Sequence, residues 1–109
     1  KRPNTSEIAY LDRNDLKSSS EGDQVSIKSI NLKTNTTESF GYTLSGSQDL
    51  IWIDKNHLLM AKGNEVFIKN VRDSDWLSLG KIESSTHQNI TRMAYSPELN
   101  KLVFVMNRK

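Results

Sequence analysis

The chain has no cysteine among its 109 residues. This absence excludes a disulfide framework, a metal site with thiolate ligands and a cysteine nucleophile, although it leaves the cellular compartment open. Long apolar runs are also missing, since none approaches the roughly 20 residues that a bilayer-spanning helix needs. The first residue is Lys1 and not Met, so we expect a processed or excised piece, from which a targeting segment can have been removed.

Charge of one sign does not predominate. The 15 basic and 13 acidic residues give a formal net charge of +2. The basic residues are spread along the chain, whereas a nucleic-acid surface needs a stripe of Lys and Arg with interleaved aromatic residues. The sequence therefore predicts a solvated surface of mixed charge and no nucleic-acid partner. The length allows one small domain with a modest core.

Capped amphipathic runs of ten or more residues, the pattern of helices, are absent as well. The chain instead has short apolar groups, rich in β-branched and aromatic residues, which turn residues interrupt about every six to ten positions. This pattern predicts an all-β fold. Strands are predicted at residues 7–12, 25–33, 36–44, 50–53, 58–61, 66–71, 76–82, 90–95 and 102–106. The Ser-rich, charged stretch 13–24 is predicted to be an exposed, disordered loop.

The chain is organised around residues 49–83, which contain four apolar runs closed by polar or glycine-containing turns. This succession predicts an antiparallel meander of four strands. Leu50–Ile53 is nearly continuous in apolar character, as expected of a strand that is covered on both faces. Lys62-Gly63-Asn64 is predicted to be a hairpin turn, because glycine is available for a positive φ. Ser45-Gly46-Ser47 predicts a further turn.

Two parts of this unit recur elsewhere in the chain. Val25–Ile30 matches Val66–Val71 at a separation of 41 residues, with apolar residues at the first, third and sixth places and lysine at the fourth. Leu58–Ala61 matches Leu102–Val105 at a separation of 44 residues. In the first pair of matched segments the apolar spacing changes from two to three, which predicts a bulge or a kink at the same place in both strands.

A period of about 40 to 45 residues with four strands per unit is typical of β-propeller blades. The sequence then predicts about two and a quarter blades: a partial blade at 7–44, a full blade at 48–83 and the first two strands of a further blade at 90–106. One blade cannot bury both of its faces alone. Three alternatives stay open: a fragment of a longer protein, several copies that complete a ring, or a small sandwich that is not a propeller.

The segment Ile90–Glu98, followed by Lys101–Val105, resembles the repeat motif of TolB-type β-propellers, in which an apolar strand and a Ser-Pro-Asp-Gly turn precede a second apolar strand. Leu50–Asp54, followed by His57–Met60, is similar to the same motif with a degenerate turn. Glu7–Asp12 resembles the second strand of an earlier blade. In detail, the chain from residue 49 onward looks like the last blades of exported TolB-like propellers of Bacteroidetes-type bacteria.

This resemblance covers nearly the whole chain. It implies a periplasmic or secreted scaffold that binds proteins or other ligands and has no active site in its blades. The sequence departs from the family pattern at Glu98-Leu99-Asn100, which stands where the family has Asp-Gly.

No residue is predicted to be catalytic, to bind a cofactor or to ligate a metal. His57 and His87 lack both a histidine at the i+4 position and an acidic neighbour, so surface histidines are predicted. Asp73-Ser74-Asp75 begins like a calcium loop but lacks the glycine and the closing glutamate, which favours a hairpin turn.

Two further groups of residues are predicted to have no catalytic role. Ser18-Ser19-Ser20 has no partner base and is predicted to be a solvated loop. Gly41, Gly46 and Gly63 are isolated turn glycines that do not form a phosphate cradle.

The two tryptophans are the remaining candidates for a binding role, as stacking platforms for a sugar or a peptide. Trp52 lies inside an apolar strand, which favours a core position. Trp76 follows Asp73-Ser74-Asp75 at the start of a strand, where a half-exposed packing role is predicted.

Together these observations predict a non-enzymatic, propeller-type binding module with no cofactor, no transmembrane segment and a protein or small-ligand partner. A homo-oligomer that completes a propeller is a further expectation. The expected location is the periplasm or the exterior, with the cytoplasm left open. Two alternatives compete with this hypothesis: blades of a propeller that gates a serine peptidase, and a self-assembling carbohydrate-binding ring that uses Trp52 or Trp76.

Overall fold

A computed structural model describes residues 2–3, 5–18, 20–46 and 49–109 of the chain. These residues contain nine β-strands and no α-helix. The strands are β1 Glu7–Lys17, β2 Gln24–Asn31, β3 Thr37–Tyr42, β4 Leu50–Asp54, β5 His57–Lys62, β6 Glu65–Asn70, β7 Leu77–Lys81, β8 His87–Ser96 and β9 Lys101–Arg108. Every strand pair is antiparallel. The prediction of an all-β fold is therefore confirmed.

The strands form three sheets, each a meander in chain order. The first sheet has the order β1-β2-β3, the central sheet β4-β5-β6-β7 and the third sheet β8-β9. The predicted four-stranded unit is thus the central sheet. Three residues with a predicted role lie outside the described residues: Ser19 of the predicted loop, Ser47 of the predicted turn, and Gln48 at the predicted start of the central unit.

Two hairpin turns contain a residue with a left-handed backbone conformation. Lys62 pairs with Glu65 across a two-residue turn in which Gly63 has a φ of +61°. Asn100, in the turn between β8 and β9, has a φ of +48°, and asparagine is one of the few residues other than glycine that tolerate this region. The turn predicted at Gly63 is confirmed.

The predicted loop at 13–24 is wrong for residues 13–17, which belong to β1, and for Gln24, which begins β2. Leu16 pairs with Val25 and Lys17 with Gln24, after an irregularity that follows Asp12. Polar contacts also hold this part of the strand, because the Tyr42 hydroxyl donates a hydrogen bond to Asp15 at 2.9 Å. These partners are distant in sequence, so the local polar composition gave no sign of them.

Two hydrophobic clusters lie on opposite faces of the central sheet. Leu58 packs with Ile27 and Phe40 of the first sheet. The next residue of β5, Leu59, packs instead with Met93 of the third sheet. Successive side chains of a strand point to opposite faces, so β5 contributes to both clusters.

Strand β4 alternates in the same way. Trp52 packs against the first cluster, whereas Ile51 and Ile53 pack against the second. The expectation that Leu50–Ile53 is covered on both faces is confirmed. The first sheet therefore covers one face of the central sheet, and the third sheet covers part of the other.

Bulges interrupt the pairing of β2 with β3 and of β6 with β7, but they are not placed as predicted. Ser26 pairs with Tyr42 and Lys28 with Ser39, so the extra residue is at Phe40-Gly41 of β3. In the second pair Val66 is opposite Gly80 and Phe67 is opposite Ser78, which leaves Leu79 of β7 as the extra residue. The bulges thus belong to the outer strands, and the matched strands β2 and β6 are regular.

Candidate interaction surface

No group of three or more His, Asp or Glu side chains is placed to hold a metal ion among the described residues. The same residues form no helix of the length and apolar character that crossing a membrane requires. Asp73 and Asp75 lie in the turn before β7, where the Asp73 N–H donates a hydrogen bond to the Asn70 carbonyl at 3.0 Å.

His57 does have an acidic neighbour, so the prediction that it lacks one is wrong. Its Nδ1 lies 2.8 and 2.9 Å from the two carboxylate oxygens of Asp54. Asp54 and His57 pair directly across the β4–β5 turn, so the four-residue hairpin was the signal in the sequence. Partial burial acts to raise the pKa of Asp54, but the Asn56 N–H and His57 together hold that pKa below its ordinary value. The pair is exposed and helps to close the turn.

Both tryptophans connect the first sheet to the central sheet. Trp52 is half-buried and meets Phe40 edge to face, with 6.0 Å between ring centroids. Trp76 is half-buried, as predicted, and its indole N–H donates a hydrogen bond to the Tyr42 carbonyl at 2.8 Å. These contacts occupy the rings in packing between sheets.

Arg2 closes one end of the same interface. Its guanidinium lies 5.2 Å from the Phe40 ring centroid and 5.4 Å from that of Trp52. The guanidinium also forms an ion pair with Glu7 at 2.7 Å and donates a hydrogen bond to the Lys55 carbonyl. The hydrogen bond to Lys55 and the cation–π contact with Trp52 therefore attach Arg2 to β4 and to the turn that follows it.

Lys69 is a correction to the predicted solvated surface, because its side chain is only 1% exposed. It lies opposite Leu58, on the face of the central sheet that meets the first sheet. Nζ donates a hydrogen bond to the Asn70 carbonyl at 3.1 Å. Burial lowers the pKa of Lys69, and the charge of Asp73 opposes this shift only in part. A lysine enclosed in this way is an inter-sheet contact and not a solvated charge.

The outer face of the third sheet exposes two aliphatic side chains, Val103 and Val105, beside the charged side chain of Arg92. Val103 is 61% exposed, although its equivalent in the repeat, Leu59, is only 2% exposed beneath the third sheet. Val105 is also exposed, whereas its equivalent Ala61 is buried. The outer face of the third sheet thus repeats a surface that is covered in the central sheet, but no described sheet covers it.

The outer face of the first sheet also lacks a covering sheet among the described residues. It presents Ile8 and Tyr10, both partly exposed, beside an ion pair of 2.7 Å between Lys28 and Asp12. The pKa of Asp12 is lowered, first by its hydrogen bond with Lys28 and then by the Asn14 N–H. The pKa of Lys28 is raised by the same hydrogen bond.

An apolar groove of about 260 Å³ lies where the third sheet ends over the central sheet. The residues that line it are mostly apolar, with one lysine among them: Val66, Leu79, Gly80, Lys81, Ile82, Leu102 and Phe104. The groove runs between β7 and β9, because the two strands of the third sheet do not reach across the four strands of the central sheet. Its lining is strongly apolar, and sequence patterns alone did not predict it.

Comparison of the chain with protein-family models, with curated protein sequences and with solved structures finds no match.

Proposed function

We propose that the chain is a non-enzymatic scaffold of propeller-type blades that binds protein partners through its outer sheet faces. One observation carries the proposal: the first sheet covers one face of the central sheet and the third sheet covers part of the other, whereas no described sheet covers the equivalent outer faces of the first and third sheets. Exposed apolar sheet surface of this kind marks an interaction site.

The repeat supports a blade-like arrangement of the three sheets. Strands β2 and β6 carry the matched Val-x-Ile-Lys segments. Each is the last-but-one strand of its sheet, next to an outer strand with a bulge. Strands β5 and β9 carry the second match, and each follows a strand whose side chains enter the cluster between the central and third sheets. In this proposal the three sheets are one partial, one complete and one begun blade of a TolB-like propeller.

The packing role of the tryptophans favours protein binding over sugar binding. A stacking platform for a sugar needs a free aromatic face, but Trp52 lies between Arg2 and Phe40 and Trp76 is bound to the first sheet. The open surfaces present Val103 and Val105 on the third sheet and Ile8 and Tyr10 on the first sheet, and a mixed apolar surface of this kind suits another protein. The proposed location is the periplasm or the exterior, as the TolB-like motifs imply.

Photo-crosslinking in the source cells tests this function. A photoreactive residue in place of Val103 or Tyr10 reports on the two outer faces, and one in place of Lys33, in an exposed turn, is the matched control. We expect discrete protein adducts at Val103 or Tyr10 that are absent at Lys33. Equal labelling at the three positions contradicts the proposal.

A further inference from the structure

The side chain of Arg2 lies where the first and central sheets meet, and it is surrounded by groups from both. Glu7 and Phe40 belong to β1 and β3 of the first sheet, whereas Trp52 and Lys55 belong to β4 and to the turn that follows it. All four contact the guanidinium of Arg2, whose side chain is only 14% exposed. One cationic group is therefore enclosed by two sheets.

The rings of Phe40 and Trp52 form two walls of a corner. Their planes are inclined at 88°, and the guanidinium carbon of Arg2 lies 5.2 Å from the Phe40 centroid and 5.4 Å from the Trp52 centroid. Both distances are within the roughly 6 Å over which an aromatic face attracts a cation. Because Phe40 is 3% exposed, water is largely excluded from that wall, and this attraction is stronger at a desolvated site.

The polar groups of the corner match the N–H donors of a guanidinium. Nη1 of Arg2 donates a hydrogen bond to Glu7 Oε2 at 2.7 Å, and Nε donates one to the Lys55 carbonyl. The Glu7 carboxylate also supplies the opposite charge. A guanidinium directs its N–H groups within one plane and presents a flat face to an aromatic ring, whereas an ammonium is a compact, strongly hydrated point charge. The corner therefore suits a guanidinium better than an ammonium.

The walls of the corner are held by the sheets and not by Arg2. Glu7 shares a face of β1 with Leu11, which packs against the first hydrophobic cluster. Arg2 itself lies outside any strand. Its backbone is held in a turn, in which its N–H donates to the Glu7 carbonyl at 3.0 Å and the Thr5 hydroxyl donates to its own carbonyl at 2.8 Å. The arrangement thus separates a ligand from the site that receives it.

We propose that the corner formed by Glu7, Phe40, Trp52 and the Lys55 carbonyl is a binding site for a guanidinium group, which Arg2 occupies as an intramolecular ligand. Because the walls come from two sheets, occupation of the site holds the first sheet on the central sheet. This inference goes beyond the proposed function and does not rest on it, since it concerns the packed faces of the two sheets and not their outer faces.

Arg2→Ala in the full chain removes the ligand from its site, and methylguanidinium is the probe. We expect the variant to melt at a lower temperature than the wild type. Methylguanidinium should stabilise it in a saturable manner, with a rise in melting temperature of about 5 °C at ten times the dissociation constant. Methylammonium at the same concentration, the control for charge and ionic strength, should not. The wild type, whose site is filled, should not be stabilised by either cation.

The indole N–H signals in NMR spectra report where the probe binds. In Arg2→Ala, methylguanidinium should shift the Trp52 signal and saturate at the concentration that saturates the rise in melting temperature. Trp76 is the internal control, because its indole N–H donates to the Tyr42 carbonyl, and its signal should stay in place. If Arg2→Ala is largely unfolded, circular dichroism follows the same titration, and methylguanidinium but not methylammonium should restore the folded signal.

Arg2→Lys distinguishes a guanidinium site from an ordinary ion pair. Lysine keeps the charge that pairs with Glu7, but we expect the melting temperature of this variant to lie closer to that of Arg2→Ala than to that of the wild type. Arg72→Ala, in an exposed turn, is the control for loss of an arginine and should be neither destabilised nor rescued. Absence of saturable rescue, equal rescue by methylammonium, or wild-type stability of Arg2→Lys overturns this inference. None of these results bears on crosslinking at Val103 or Tyr10.

Discussion

The side chain of Lys69 crosses the backbone of Gly41, so that a Cβ on Gly41 would lie 3.3 Å from the lysine Cε. This contact joins a buried lysine of the central sheet to the bulge of the first sheet. The glycine provides the space and the lysine stem fills it. The aliphatic part of a lysine can pack like an apolar side chain, but here the ammonium group is also withdrawn from water.

Lys69→Met is expected to increase the free energy of unfolding at pH 7 by about 1–3 kcal/mol, the usual cost of a poorly compensated buried polar group. Methionine keeps an unbranched stem over Gly41 and removes the buried charge. Urea unfolding monitored by tryptophan fluorescence measures the change. A loss of stability would show that the hydrogen bond from Nζ to the Asn70 carbonyl outweighs the desolvation of the ammonium group.

The effect of Lys69→Met depends on pH. Burial lowers the pKa of Lys69 in the folded state below its ordinary value of 10.5. Between the folded and the unfolded pKa the unfolded chain binds more protons, so the stability of the wild type rises with pH in that interval. The advantage of the methionine variant is therefore full at neutral pH and decreases toward pH 10.5. Lys33→Met, at an exposed turn, is the control for general effects of charge removal.

Gly41→Ala is expected to destabilise the protein by about 1–3 kcal/mol, the cost of a non-glycine residue in a rare backbone conformation. Gly41 has a φ of +92°, and the new methyl group would also press on Lys69. In a double-mutant cycle, Lys69→Ala should remove only the steric part of this cost. Gly63→Ala, at a positive φ with open space around it, measures the backbone part alone. Equal costs at both glycines would contradict the close contact.

The parts of the fold that the sequence predicts are those with local signals. Short β-branched runs bounded by turns specify the strands and the central meander, because both signals are local. The extension of β1 to Lys17 was missed, since Leu16 is held by Val25 across a polar segment. The bulges were assigned to the wrong strands because the extra residues, at Phe40-Gly41 and Leu79, show no irregular spacing of their own.

The interaction surface was harder to predict than the strands. Residue type suggested that Lys69 is solvated, whereas its place opposite Leu58 buries it. The exposed faces at Val103 and Leu79 consist of residues that a single sequence would place in the core. Only the pairing of strands and the stacking of sheets show which apolar residues are covered.

Asp12→Asn is expected to lower stability at pH 6, because it removes a charge partner of Lys28. The pKa of Asp12 is lowered in the folded state, so its contribution is present above the ordinary value of 3.8 and is lost as pH falls through the folded pKa. The difference in melting temperature between wild type and variant should therefore shrink in acid. It should also decrease in high salt, which screens exposed charges. A difference that is constant with pH would assign the effect to packing.

Trp76→Phe is expected to lower the free energy of unfolding by about 0.5–1.5 kcal/mol, the net contribution of a typical hydrogen bond. Phenylalanine keeps an aromatic ring against the cluster around Leu58 but removes the indole N–H that binds the Tyr42 carbonyl. This bond joins the turn before β7 to the end of β3, so amide exchange at the end of β3 should increase. Urea unfolding and residue-resolved hydrogen exchange measure the two effects. Trp76→Leu, which also loses the ring, should cost more, and equal costs for the two variants would show that only the hydrogen bond matters.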